Sequence, residues 1–224
     1  MSLPEVVSPE QWLQARLNLL AEEKELTRKI SAVNADRRRL PMVRVEKGYV
    51  FDGPDGKVTL AGLFGDRGQL FVHHIMFGPD WDAACPSCTQ YTSEFTESLI
   101  TRLASRDTAF AMVCRAPLAR IQAYTAGRGW ALPWYSSFGS DFNYDFHVTM
   151  DEAIAPIEYN YRSKTENEQA GTAGYNTGEQ PGVSVFLRDG DSIFHTYSTF
   201  ARGVELLVPT ANYLDLTPLG RQDA

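Results

Sequence analysis

The chain has 224 residues, 43% of them hydrophobic and 22% charged, with a formal net charge of −7, a globular composition long enough to bury its own core. Negative charge on this scale repels nucleic-acid phosphate and anionic lipid, so neither is expected as a partner. No apolar run is long enough to span a bilayer, and Met1-Ser2-Leu3-Pro4-Glu5 lacks the pattern of a signal peptide, so the expected compartment is the cytoplasm, where thiols stay reduced.

Ser8-Pro9-Glu10-Gln11 reads as a helix start, with Ser8 as N-cap, Pro9 in the first turn and Gln11 closing a capping box. Apolar residues then recur at Trp12, Leu13, Leu17, Leu20, Leu26, Ile30 and Val33, which predicts an amphipathic helix of about seven turns ending near Pro41. Residues 1–44 are therefore expected to form a helical arm and 45–224 the main domain. The arm suits packing on its own domain or on a second chain, which allows a homodimer.

Tyr49 to Leu60 reads as a hairpin around Gly53-Pro54-Asp55-Gly56. Leu70 to Phe77 is a nearly unbroken apolar run between glycines, as in a strand buried on both faces. After Pro79-Asp80-Trp81 the cysteines arrive, and a helix follows with Tyr91, Phe95, Leu99 and Leu103 at i+4 spacing. Ala109 to Cys114 predicts a second buried strand, Pro117 opens a helix that Gly127 ends, and Leu132 to Ser136 suits a short strand. An irregular insertion spans about 142–182, where only Ile157 to Tyr161 alternates like a strand. Val183 to Leu187 and Ile193 to Thr199 form a hairpin, and a final helix is expected over about 203–214. The order implies an α/β fold, a central mixed sheet with helices on both faces.

The chemistry concentrates at Cys85-Pro86-Ser87-Cys88, between a buried strand and an amphipathic helix. Pro86 suits the first helical position, which leaves the Cys85 sulfur beside the unsatisfied N–H groups and positive end of the helix, where an anion is favoured. Cys88, one turn further in, is placed to attack a mixed disulfide formed on Cys85. Cys85 is thus the expected nucleophile and Cys88 the resolving thiol. A structural zinc site would want a second ligand pair, and the neighbours His73 and His74 point to opposite faces of their strand, so no metal or other cofactor is expected.

Strand–Trp81-x₃-Cys85-Pro86-x-Cys88–helix–strand–helix, then a hairpin and a helix, resembles the thioredoxin superfamily, with Pro181 preceding the strand that would face the dithiol. Several stretches resemble more closely a bacterial thioredoxin-like family catalogued as domain of unknown function 899. They are Phe77-Gly78-Pro79-x-Trp81, Arg115-Ala116-Pro117-Leu118, Gly129-Trp130, Pro133-Trp134, Asp141 to Phe146, Gly182 to Phe186, His195 to Gly203 and Leu214 to Arg221. The resemblance implies a thioredoxin-like fold and leaves the substrate open.

A thiol–disulfide oxidoreductase would meet a disulfide-containing protein or a small-molecule thiol substrate and be recharged by an external dithiol reductant. The rivals are a thioredoxin-fold binding module with idle or metal-holding cysteines, and a peroxiredoxin-like peroxidase. The peroxidase would want a hydroxyl donor at Asp82. A copper-chaperone-like site would enlist His147 or His195. Trp81 is placed to wall the dithiol or to pack as a loop aromatic, His73 or His74 to satisfy a backbone carbonyl in the core or to relay the proton of Cys85, and Cys114 to be an inert core residue. His195, Tyr197 and Thr199 are expected on one face of their strand, so that His195, Tyr197 and Arg202 would either line a pocket for a polar or anionic ligand or form the wetter face of an edge strand.

Overall fold

The computed structural model describes residues 3–222. The described residues up to Pro41 and from Thr210 onward group into one compact unit, and Met42–Pro209 form a second. In the first, helix α1 (Pro9–Arg37) begins at the expected capping box: the Ser8 hydroxyl accepts from the Gln11 N–H and the Gln11 side chain accepts from the Ser8 N–H.

The second unit runs β1 (Val43–Arg44), β2 (Val50–Gly53), β3 (Gly56–Thr59), α2 (Leu60–Leu63), β4 (Gln69–His74), α3 (Pro86–Ser93), α4 (Glu97–Ala104), β5 (Thr108–Cys114), α5 (Leu118–Ala126) and β6 (Trp134–Ser136). The insertion carries α6 (Phe142–Asp145), β7 (Thr149–Met150), β8 (Glu158–Tyr159), β9 (Arg162–Ser163), α7 (Lys164–Gln169) and β10 (Gly178–Glu179). The chain closes with β11 (Gly182–Asp189), β12 (Ser192–Phe200) and α8 (Pro209–Leu214).

The strands form an eight-stranded sheet in the order β1-β12-β11-β4-β5-β6-β2-β3. At its centre β4 and β5 are parallel, β11 is antiparallel to β4, and β12 is antiparallel to β11. That is the central mixed sheet expected from the sequence. Period-two alternation divides β4 between two core layers. Leu70 and Val72 join Phe51, Phe64, Val113, Phe142 and Phe186 on one side, while Ile75, just past the strand, joins Phe110, Met112, Cys114 and Cys88 on the other.

Two helices differ from expectation. The i+4 row from Tyr91 to Leu103 is not one helix: α3 ends at Ser93, and Thr96 caps α4 by accepting from the Leu99 N–H. Thr96 bonds the backbone as an N-cap, and this competes with helix continuation. The expected last helix is a 3-10 segment, Ala201–Leu207, followed by α8. Pro209 opens α8, and a proline there lacks the N–H and crowds the preceding turn, which ends the segment before it.

Candidate active site

Cys85 is the N-cap residue of α3, with Pro86 in the first helical turn. Its backbone is tied at both ends: its N–H donates to the Met76 carbonyl (2.9 Å), and its carbonyl accepts from the Thr89 N–H (2.8 Å) and hydroxyl (2.9 Å). The Thr89 hydroxyl in turn meets the Tyr124 hydroxyl at 2.6 Å. The nucleophile candidate is therefore pinned between the end of β4 and the first turn of α3, where the helix dipole is most positive.

The two cysteines are both free thiols in unlike surroundings, Cys85 half-buried and Cys88 buried. Burial pushes the Cys88 thiol up to about 12. The Met76 N–H opposes that rise, while contact with Cys85 adds to it. A thiol kept protonated one turn inside the helix can donate toward the Cys85 sulfur until it is called on to react. Cys114 is wholly buried beside Cys88 in the same core cluster, and burial raises its thiol strongly.

The other predicted residues are spread around this centre. The β4–β11 register pairs His74 with Gly182, and Pro181 directly precedes that first paired residue of β11. Of the two histidines, His73 faces the dithiol helix: its ring lies 4.7 Å from that of Tyr91. His74 faces the opposite layer and bonds the Ser184 hydroxyl at 2.9 Å. Burial depresses both imidazoles to about 3, so both are neutral near neutral pH. The indole of Trp81 folds over Gly78, where a β-carbon would stand 3.0 Å from Nε1. Arg120 holds the Trp81 carbonyl at 2.9 Å and the Asp82 carboxylate at 3.1 Å. The Asp82 side chain is fully exposed.

His195 and Tyr197 do not share a face of β12. The β11–β12 register shifts between Val185 and Phe186, so Tyr197 pairs with Val185 while His195 pairs with Phe186 and Thr196 is the extra residue. A bulge of one residue reverses the facing of everything beyond it. His195 therefore shares a face with Ser198, not with Tyr197 and Thr199, and bonds the Ser198 hydroxyl at 2.7 Å. Ser198 meets Ser184 at 2.9 Å, completing a chain His74–Ser184–Ser198–His195 that is buried except at its half-buried end, His195. Burial lowers the His195 pKa. Arg202 lies past the turn at Ala201, where φ is +47°, and lines a separate cavity of about 270 Å³ with Arg162, Asn167 and Tyr175.

Two features escaped the sequence. Arg115, directly after β5, pairs with the buried Glu179 at 3.0 Å, and the Thr149 hydroxyl donates to the same carboxylate at 2.7 Å. Burial holds the Glu179 carboxyl above the usual carboxylate range, against the pull of Thr149, Arg115 and Asn143. The second is Tyr159, wholly buried. Its hydroxyl donates to the Pro181 carbonyl (2.7 Å) and accepts from the Ala201 N–H (2.9 Å), fastening the insertion to the loop before β11. Arg115 and Pro181 stood in recognisable stretches, but their partners lie 64 and 22 residues away and carry no local signal. Among the described residues, no three His, Cys, Asp or Glu side chains converge as a metal set, and no helix is long and apolar enough to cross a membrane.

Among solved structures, the chain is similar to the bacterioferritin comigratory protein of Xanthomonas campestris at 14% identity, covering 72% of this chain and 87% of that one, with a TM-score of 0.44. It is similar to a peroxiredoxin Q of Xylella fastidiosa at 11% identity, with 74% and 88% covered and a TM-score of 0.45. A protein disulfide isomerase-like protein of Bacteroides thetaiotaomicron aligns at 17% identity, with 77% and 91% covered and a TM-score of 0.43. No curated protein matches the chain. A family model matches residues 1–224, and the chain belongs to that family, described as bacterial protein of unknown function (DUF899).

Proposed function

We propose that the protein is a thiol–disulfide oxidoreductase in which Cys85 attacks and Cys88 resolves. The Cys85 thiolate forms a bond to one sulfur of a substrate disulfide, and the other sulfur leaves as a thiolate. Cys88 then gives up its proton and attacks the Cys85 sulfur, releasing the second substrate thiol and closing a Cys85–Cys88 disulfide. The substrate gains two electrons, and an external dithiol later returns two electrons to the protein.

The observation that carries this reading is the asymmetry of the pair. Cys85 is half-buried at a helix start, while Cys88 is buried with its thiol pushed up to about 12. An accessible sulfur for the first step and a sheltered one for the second is the arrangement that two-step exchange requires. The same reading implies a disulfide-bearing protein or small-molecule partner and a cytoplasmic setting that keeps the resting dithiol reduced.

The test is oxidation of the reduced protein by oxidised glutathione, followed by mass spectrometry. The wild type should lose two hydrogens and carry a Cys85–Cys88 linkage, and Cys88→Ser should accumulate one glutathione on Cys85. Glutathione lodged on Cys88 in Cys85→Ser at the same rate, or no internal disulfide in the wild type, would overturn the proposal. Rapid turnover of hydrogen peroxide without thiol exchange would favour the peroxidase rival instead.

A further inference from the structure

The chain carries a net charge of −7, yet one cavity in it has the opposite character. This is the space of about 270 Å³ where the insertion meets the turn after β12, lined by Arg162 and Arg202, by the polar side chains of Asn167, Tyr175 and Thr199, and by no carboxylate. All of these residues lie within Met42–Pro209, a single compact unit.

What the lining offers is hydrogen-bond donors. Among the described residues the Arg162 guanidinium has no hydrogen-bond or salt-bridge partner. Glu166, whose charge its field reaches, is already bonded to the Ser163 N–H at 2.8 Å and hydroxyl at 2.7 Å. Glu205 engages Nε and one Nη of Arg202 at 3.2 and 3.4 Å, which leaves the other Nη group to donate. Asn167 is wholly buried. Its Oδ1 accepts from the Thr172 hydroxyl, and its Nδ2 reaches the Arg162 carbonyl at 3.4 Å with a second proton to offer. Gly203 leaves room for the Thr199 hydroxyl, because a β-carbon there would collide with Oγ1.

The apolar wall is held in place. Tyr175 and Phe200 pack on the buried Tyr159 ring at 4.9 and 5.4 Å. The Tyr159 hydroxyl accepts from the Ala201 N–H and so fixes that residue at a φ of +47°, a conformation that a β-carbon disfavours.

We propose that this cavity binds a small organic carboxylate, with its charged end on Arg162 and Arg202 and its apolar body against Phe200 and Tyr175. A guanidinium matches a carboxylate through paired N–H···O bonds, and no acid in the lining competes for it. The volume falls just below the range of about 300–1,000 Å³ usual for pockets that hold drug-sized ligands, which suits a small molecule. This inference is independent of the redox reading.

Isothermal titration calorimetry of the full chain with benzoate, benzamide and inorganic phosphate tests it. Benzoate should bind saturably, and the uncharged benzamide at least about tenfold more weakly. Phosphate should also bind more weakly than benzoate, since it leaves the aromatic wall uncovered. Arg162→Gln/Arg202→Gln should lower the benzoate affinity at least about tenfold with an unchanged far-UV spectrum. No saturable benzoate binding, equal affinity for benzamide, tighter binding of phosphate, or a double variant that binds like the wild type would overturn the proposal. Should the double variant lose structure, Arg202→Gln alone gives the readout. Weakened benzoate binding then supports the site, and unaltered binding refutes it.

Discussion

Replacing Arg115 by Met leaves an unbranched stem over the Tyr144 ring, which the guanidinium now covers at 4.7 Å, but strips the buried Glu179 of its cation at 3.0 Å. Attraction at that distance is about 5 kcal/mol in an effective dielectric of about 20, and breaking one side of a buried pair costs about 3–5 kcal/mol. The Thr149 hydroxyl remains to bond the carboxylate, so a loss of about 3 kcal/mol at neutral pH is expected. The sign of the pH dependence follows from Glu179, whose folded pKa is raised. Its contribution is fully present below the ordinary carboxylate pKa of about 4.3 and is lost as pH rises through the folded value. Removing Arg115 raises that folded value further, so the deficit of Arg115→Met should be largest near neutrality and shrink as pH falls toward the ordinary carboxylate value of about 4.3 and Glu179 takes up a proton. Urea unfolding at both pH values measures this, and Arg115→Met/Glu179→Gln should recover most of the loss at neutral pH. A deficit independent of pH, or a double variant no better than the single one, would refute the account of this pair.

Tyr159→Phe should cost about 2 kcal/mol in denaturant unfolding, because the Ala201 N–H and the Pro181 carbonyl both lose their buried partner; a loss under about 0.5 kcal/mol would mean that the hydroxyl fastens nothing. Gly182→Ala places a β-carbon 2.8 Å from Phe200 and 3.0 Å from Val148, and should destabilise by about 1–3 kcal/mol; an unchanged unfolding midpoint would contradict that packing. Cys114→Ala should leave formation of the Cys85–Cys88 disulfide intact, since Cys114 is sealed in the core; loss of that disulfide on mass analysis would give Cys114 a part in the exchange.

The sheet was legible because its strands carry their own evidence. Leu70 to Phe77 and Ala109 to Cys114 are apolar runs bounded by turn residues, and β4 and β5 overlap them, each starting one residue earlier. The start of α3 was legible for a similar reason, because Pro86 marks a first turn wherever it follows an extended residue. What escaped depends on one residue changing the phase of a pattern. The i+4 row across Tyr91, Phe95 and Leu99 continues through the break at Thr96, so periodicity alone joins two helices that an N-cap separates. Thr196 bulges from β12 and turns His195 to the face opposite the one that strict alternation assigns. Glu179 and Tyr159 belong to an insertion without periodicity, and their roles arise from contacts across the fold. Alternation set His73 and His74 on opposite faces, but only the packing of Tyr91 on His73 shows which of them meets the dithiol helix.

The central claim is the division of labour between two cysteines three residues apart, and it is tested most directly by timed alkylation of the reduced protein near neutral pH with peptide mapping. Cys85, half-buried at the helix start, should take iodoacetamide first. Cys88, buried and pushed up to about 12, should follow more than about tenfold slower, and Cys114 should react only on unfolding. Labelling of Cys88 before Cys85, or at an equal rate, would contradict the assignment of nucleophile and resolving thiol.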